Sequence, residues 1–189
     1  MTTKRLSQRG AHGLATGAPR TSATTSLKDL EQSLGFFQQT VLIVDDEPDI
    51  RTSLRDLLQT SLRGLRTLTC EDGKAAAEAL KRQPVDLIIA DYRMPEMDGL
   101  EFLKLARKAA PEVPRILVTA YPDLDLAIRA LNEAAIENFF TKPLEPDKIL
   151  DVSRGLLHER RIAEIRNRAF IRSLDLLSRR LERPADSLL

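Results

Sequence analysis

Apolar residues recur along this chain in two alternating ways: short unbroken runs, and longer stretches where they return every third or fourth position. Val41-Leu42-Ile43-Val44 and Leu87-Ile88-Ile89-Ala90 are such runs, and Leu65 to Cys70, Arg115 to Thr119 and Ile136 to Thr141 read as three more strands. Apolar side chains at successive positions face core on both sides, as in a central strand of a parallel sheet. Between the runs, Ile50, Leu54, Leu57 and Leu58 keep helical spacing behind Pro48, which suits the first turn of a helix. Ala75, Ala76, Ala79 and Leu80 form a second helical face, which Asp72 can cap and Pro84 closes. Leu100 to Ala109, ended by Pro111, and Asp123 to Ala135 predict two more helices.

Five strand–helix units in succession predict an α/β protein with a doubly wound, five-stranded parallel sheet. Right-handed crossovers leave few threadings, and the flavodoxin-like strand order 2-1-3-4-5 places the first strand beside the third. The fifth helix starts at Pro146 with Ile149, Val152 and Leu156 in phase. No proline follows until Pro184, so one helix of about 35 residues is expected. Phe170, Leu174, Leu177 and Leu181 are spaced as a short heptad seam, and a helix this long needs packing, by dimerisation or on a partner.

Composition divides the chain further. Residues 1–26 carry Lys4, Arg5, Arg9 and Arg20 with no acid, and few large apolar residues, so a disordered basic tail is expected there. Residues 27–39 read as a short helix and linker, with Ser26 capping Leu27, Leu30 and Leu34 before Gly35. Residues 40–158 form the globular domain and 159–189 an Arg-rich helical extension. Net charge is +4 over residues 1–26, −7 over 27–153 and +5 over 154–183, so the middle region suits a cation. An apolar fraction of 42% can fill a core. The single cysteine, Cys70, forbids an internal disulfide and fits a small core residue in a reducing compartment. No apolar stretch approaches the ~20 residues that span a bilayer, and no secretory leader is evident. A cytoplasmic protein without a membrane partner is the expectation.

The chemistry gathers where strands end. Asp45-Asp46-Glu47 follows the first apolar run, Asp91 the third, Thr119 the fourth and Lys142 the fifth. In open α/β sheets the carboxyl ends of the strands are where ligands bind. Several carboxylates in one crevice repel, and a hard cation such as Mg²⁺, which takes carboxylates plus waters, resolves that repulsion. A hydroxyl and an ammonium beside them can neutralise phosphoryl oxygens, with Asp91 as nucleophile. The chain lacks a Walker or GxGxxG phosphate loop, which argues against a nucleotide-binding version of this architecture.

Asp45-Asp46, Asp91 with Met94-Pro95 and Met97-Asp98-Gly99 behind it, Thr119-Ala120 and Lys142-Pro143 together resemble the receiver domain of two-component response regulators. The resemblance covers roughly Thr40 to His158. It implies that Asp91 accepts a phosphoryl group from a histidine kinase or phosphotransfer protein, with Mg²⁺ or Mn²⁺ as cofactor. It also implies metal binding by Asp46 and Asp91 directly, by Asp45 mainly through water, and by the backbone carbonyl of Arg93. Thr119 and Lys142 would contact the phosphoryl group. Thr119 and Phe139 would form the switch that alters the face of the fourth helix, fifth strand and fifth helix. Arg93 and Tyr121, bulky residues two positions after Asp91 and Thr119, would flank the path of an attacking water and slow autodephosphorylation.

The output implied is a phosphorylation-dependent contact with an unknown downstream protein, or a homodimer through that face or the C-terminal helix. Beyond its own phosphoryl transfer and autodephosphorylation, no enzyme is expected. A phosphatase of the haloacid type would want an acid two residues after the nucleophile, where Arg93 stands. The alternative is a transcriptional regulator that binds nucleic acid with the Arg-rich helix, but that stretch has little aromatic content and no second helix for a helix-turn-helix. His158-Glu159-Arg160-Arg161 lacks the following proline of a kinase histidine box, and His158 is read as a solvated helix residue.

Overall fold

A computed structural model of the chain describes residues 38–181. The expected tail, the capped helix after Ser26 and the last residues of the extension lie outside the described residues. The strands are β1 (Thr40–Val44), β2 (Arg66–Cys70), β3 (Leu87–Asp91), β4 (Arg115–Thr119) and β5 (Asn138–Thr141). The helices are α1 (Pro48–Ser61), α2 (Gly73–Arg82), α3 (Gly99–Ala109), α4 (Leu124–Arg129) and α5 (Pro146–Leu181). All strands pair in parallel in the order β2-β1-β3-β4-β5, as the apolar runs and the crossover rule predict.

The unbroken apolar runs are explained by two cores, one on each face of the sheet. Leu42, Val44, Ile88, Ala90 and Leu117 pack with Ala76, Phe102, Leu103 and Leu126 on the side of α2, α3 and α4. Val41, Ile43, Leu87, Ile89, Ile116 and Val118 pack with Leu54, Leu58, Ile149 and Leu157 on the side of α1 and α5. The apolar side chains of the three central strands thus have helices to cover them on both faces. Asp72 caps α2 as expected, its carboxylate accepting from Ala75 N at 2.7 Å.

One element differs in form. The expected helix from Asp123 to Ala135 is α-helical only to Arg129, then widens into a π turn over Ala130–Ala134 that ends at Ala135 in the left-handed region (φ 48°). Leu126, Ala130 and Ala134 are all buried, and a strict four-residue spacing drifts around an α-helix. A wider turn keeps the three on the core. Buried Arg115 fastens this end by donating to the Ala135 carbonyl, with Nη2 at 3.0 Å. With Ala135 so placed, β5 starts at Asn138, two residues after the expected start.

Helix α5 is continuous over 36 residues. Its first part is part of the domain: Ile149, Leu157 and Ile165 are buried. Arg160 Nη2 lies 3.4 Å from Glu112 Oε1, and its Nε lies 4.0 Å from Asp86. Farther along, Phe170, Ile171, Leu174, Leu176 and Leu177 are exposed. No described helix is long and apolar enough to cross a membrane.

Candidate functional site

Four strand ends converge because β1, β3, β4 and β5 are neighbours in register. Val44 pairs with Ala90, Asp91 with Val118 and Thr119 with Thr141, so Asp45, Asp91, Thr119 and Lys142 emerge at one rim. Each is fixed by its own turn.

After β1 the chain wraps around Asp45. Glu47 precedes α1 with Pro48 at the first helical position, and its backbone N donates to Asp45 Oδ1 at 2.9 Å. Arg51, one turn into α1, donates from Nη1 to the Asp45 carbonyl at 2.5 Å. After β3, Tyr92 N donates to the Val118 carbonyl at 2.7 Å, and Gly99 N returns to the Tyr92 carbonyl at 2.8 Å. Only glycine allows that return: a Cβ on Gly99 would lie 1.9 Å from the Asp91 carbonyl oxygen. Asp98 then caps α3 by accepting from Glu101 N at 2.8 Å. Glu96, in the same turn, is ion-paired with Lys74 of α2. After β4, Thr119 is fully buried and its hydroxyl oxygen accepts from Tyr121 N at 3.1 Å. Lys142 N donates to the Thr119 carbonyl at 2.8 Å, so the last two strand ends are tied backbone to backbone.

The centre of the arrangement is the Lys142 ammonium. Its Nζ lies 2.7 Å from Asp91 Oδ1, 2.9 Å from Asp45 Oδ2 and 2.9 Å from Glu47 Oε1. Asp45 and Asp91 are almost wholly buried, and burial pushes both carboxyl groups above the usual carboxylate range, although the hydrogen bonds from Lys142 pull them back. For Lys142 burial alone would lower the pKa, but hydrogen bonds to Asp91, Glu47 and Asp45 outweigh it and hold the amine protonated. Negative charge here is therefore costly, and one cation already offsets part of it.

Asp45, Asp91 and Lys142 are in direct contact, and Thr119 stands at the adjacent strand end. Asp46 is exposed on the rim. Among the described residues no group of three or more acidic, histidine or cysteine side chains that could hold a metal ion is found. The Lys142 ammonium lies between Asp45 and Asp91. Arg93 and Tyr121 do meet, the guanidinium lying 4.0 Å above the ring. Phe139 is half-buried against the core beneath α4, and pairs with Leu117 two residues before Thr119. His158 is exposed on α5.

Glu47 and Arg51 were not singled out by strand-end reasoning. The available signal was for Glu47 alone, the third acid of the Asp45-Asp46-Glu47 run at the end of the first strand.

Comparison with known proteins agrees with this arrangement. Residues 41–154 match the model of the response regulator receiver domain. The hydrogenase transcriptional regulatory protein HoxA of Cupriavidus necator is 40% identical over 117 residues, 62% of this chain and 24% of that protein. The response regulator protein PilR of Pseudomonas aeruginosa is 38% identical over 117 residues, 61% of this chain and 25% of its own length. The chain thus spans about a quarter of the length of these curated relatives. The crystal structure of a CheY-like response regulator receiver domain protein from Methanospirillum hungatei superposes with a TM-score of 0.63 at 26% identity, covering 67% of this chain and 99% of that one. With residues 41–154, more than half of its length, matched by the family model, the chain belongs to the response regulator receiver domain family.

Proposed function

We propose that the chain is a phosphorylation-activated receiver of a two-component system in which Asp91 accepts a phosphoryl group from the phosphohistidine of a kinase or phosphotransfer protein. The observation that carries this reading is the Lys142 ammonium held in contact with both Asp45 and Asp91 at the carboxyl end of the sheet. In the transfer, an Asp91 carboxylate oxygen forms a bond to phosphorus while the donor's P–N bond breaks. The bonding pair leaves with the imidazole, and Asp91 becomes an acyl phosphate. Lys142 can then follow the negative charge from the free carboxylate to the phosphoryl oxygens. The Thr119 hydroxyl, now an acceptor for Tyr121 N, can rotate to donate to a phosphoryl oxygen.

Receiver domains generally bind Mg²⁺, and the donor types fit it: the carboxylates of buried Asp45 and Asp91 and of exposed Asp46 are hard oxygen ligands. Asp45, Asp46, Asp91 and the Arg93 carbonyl would hold Mg²⁺ or Mn²⁺, which when bound supplies positive charge for the transferring phosphoryl group. Arg93 and Tyr121, stacked on each other, would flank the path of an attacking water and hinder it. Thr119, drawn toward the phosphoryl group, would leave space for Phe139 to turn inward, altering the face of α4, β5 and α5.

The output we assign is a protein contact, with a homodimer through the exposed apolar positions of α5 or through the α4–β5–α5 face. A second reading, regulation of transcription with contact to nucleic acid, is favoured by the name of the Cupriavidus relative and by the arginines of α5. Against it, Arg160 is paired with Glu112, and Arg168 with Glu164 at 2.5 Å.

Incubation with acetyl phosphate and Mg²⁺, read by intact mass, tests the assignment. Wild type should gain one phosphoryl group and Asp91→Asn none. Size exclusion before and after should report self-association, and a complex with DNA that weakens steeply with salt would favour the second reading. Uptake of the group by Asp91→Asn would overturn the site.

A further inference from the structure

The least explained contact at the site is the one between Lys142 and Glu47, and the geometry points to Glu47 as a positioning residue that competes with the phosphoryl group for the Lys142 ammonium. This rests on Asp91 as the phosphoacceptor. Two of the three carboxylates on Lys142 are buried and sufficient to place its Nζ between the ends of β1 and β3. The third belongs to a residue 61% exposed in its side chain, reaching in from the rim at 2.9 Å. Glu47 is itself held in place: its carbonyl accepts from Arg51 N at 3.1 Å, its N–H is on Asp45, and Pro48 restricts the turn. Its carboxylate is thus presented to Lys142 from a prepared backbone, not from a freely sampled loop.

The consequence is a competition. A lysine ammonium has three donor hydrogens, and the three contacts account for all of them. When the phosphoryl group bonds to Asp91, the Asp91 contact passes to the phosphoryl oxygens, and a second of those oxygens can take a donor from Lys142 only if Asp45 or Glu47 lets go. Glu47 is the partner given up at less cost, because its carboxylate returns to water while Asp45 is buried. Until it is released, Glu47 draws the ammonium toward the rim and adds a negative charge on the path of a phosphate dianion. Glu47 therefore restrains phosphorylation, and the restraint works through Lys142.

The test uses acetyl phosphate, where the Asp91 oxygen bonds to phosphorus, the donor's P–O bond breaks and acetate leaves with the bonding pair. Phosphorylation of the full chain is followed by intact mass at saturating Mg²⁺ for wild type, Glu47→Gln and Glu47→Asp. Glu47→Gln should be phosphorylated on the order of three- to tenfold faster, chiefly through a lower half-saturating donor concentration. Glu47→Asp keeps the charge but is one methylene shorter, so it should release Lys142 and be phosphorylated at a rate between those of wild type and Glu47→Gln. Glu47→Asp behaving as wild type would reduce the effect to bulk charge and overturn the positioning role. An unchanged or slower Glu47→Gln, with wild type phosphorylated on Asp91, would overturn the competition while sparing the site. Failure of wild type itself to take the group would remove both.

Discussion

The two ends of this molecule solve opposite problems. At the carboxyl end of the sheet, two buried acids share a crevice, and every neighbouring element restrains them: the Glu47 backbone on Asp45, Gly99 against the Asp91 backbone, Lys142 between the two. On the distal half of α5, apolar side chains from Phe170 to Leu177 stand exposed, beyond Ile165, which is buried. The first region is held from every side by its own fold; the second is left open to solvent, and is the surface the proposed dimer would cover. Burial of charge is costly and must be answered within the domain, whereas exposed apolar surface can be answered by another molecule.

That contrast can be broken most sharply at α5. Phe170→Asp with Leu174→Asp should abolish a homodimer through this helix, measured by analytical ultracentrifugation. The same substitutions should leave the receiver's Tm unchanged, because both side chains lie outside the two cores. A monomeric wild type would show that another partner covers the stripe. At the other end, Gly99→Ala should cost about 2–3 kcal/mol, read by denaturant unfolding, since the new methyl must displace backbone at Asp91. A change below about 0.5 kcal/mol would mean the turn is looser than the contact implies.

Smaller effects sharpen the comparison. Replacing Arg93 and Tyr121 together with alanine should shorten the phosphoryl lifetime on the order of tenfold, equivalent to about 1.4 kcal/mol of barrier. An unchanged lifetime would remove the stacked pair from the water path. The gentlest prediction concerns pH. The folded state holds protons on Asp45 and Asp91 more tightly than the unfolded chain does, because their carboxyl groups are raised above 3.8. Their ionised forms therefore cost stability above the raised values, and a bound divalent cation should recover it. The increase in Tm on adding Mg²⁺ should thus be full near neutrality and fade as pH falls, beginning above the range of an ordinary carboxylate. An increase that persists to pH values near 3.8 would show that these acids do not carry the metal.

How much of this was legible in the sequence follows the same division. The strands were readable because Val41–Val44 and Leu87–Ala90 are apolar at consecutive positions, a pattern that only coverage on both faces explains. Asp91, Thr119 and Lys142 were readable because each terminates such a run. Glu47 was hidden because its role lies in the reach of a side chain across 95 residues of chain, which spacing does not encode. The π turn after α4 was hidden for a related reason: Leu126, Ala130 and Ala134 look helical in one dimension, and the difference between turns of 3.6 and 4.4 residues is settled by what they pack against. The burial of Ile165 likewise depends on where an uninterrupted helix carries it.

The unbroken α5 has a mechanical meaning as well. Its 36 residues make a rod of about 54 Å, seated at its base by Ile149 and Leu157 and with nearly half of its length, about 24 Å, reaching past Ile165. A tilt of about 10° at the seat would carry the far tip through about 4 Å over that overhang, more than the movement needed at the base. A sub-ångström rearrangement around one aspartate could in this way be read out as a displacement large enough to make or part a contact between molecules.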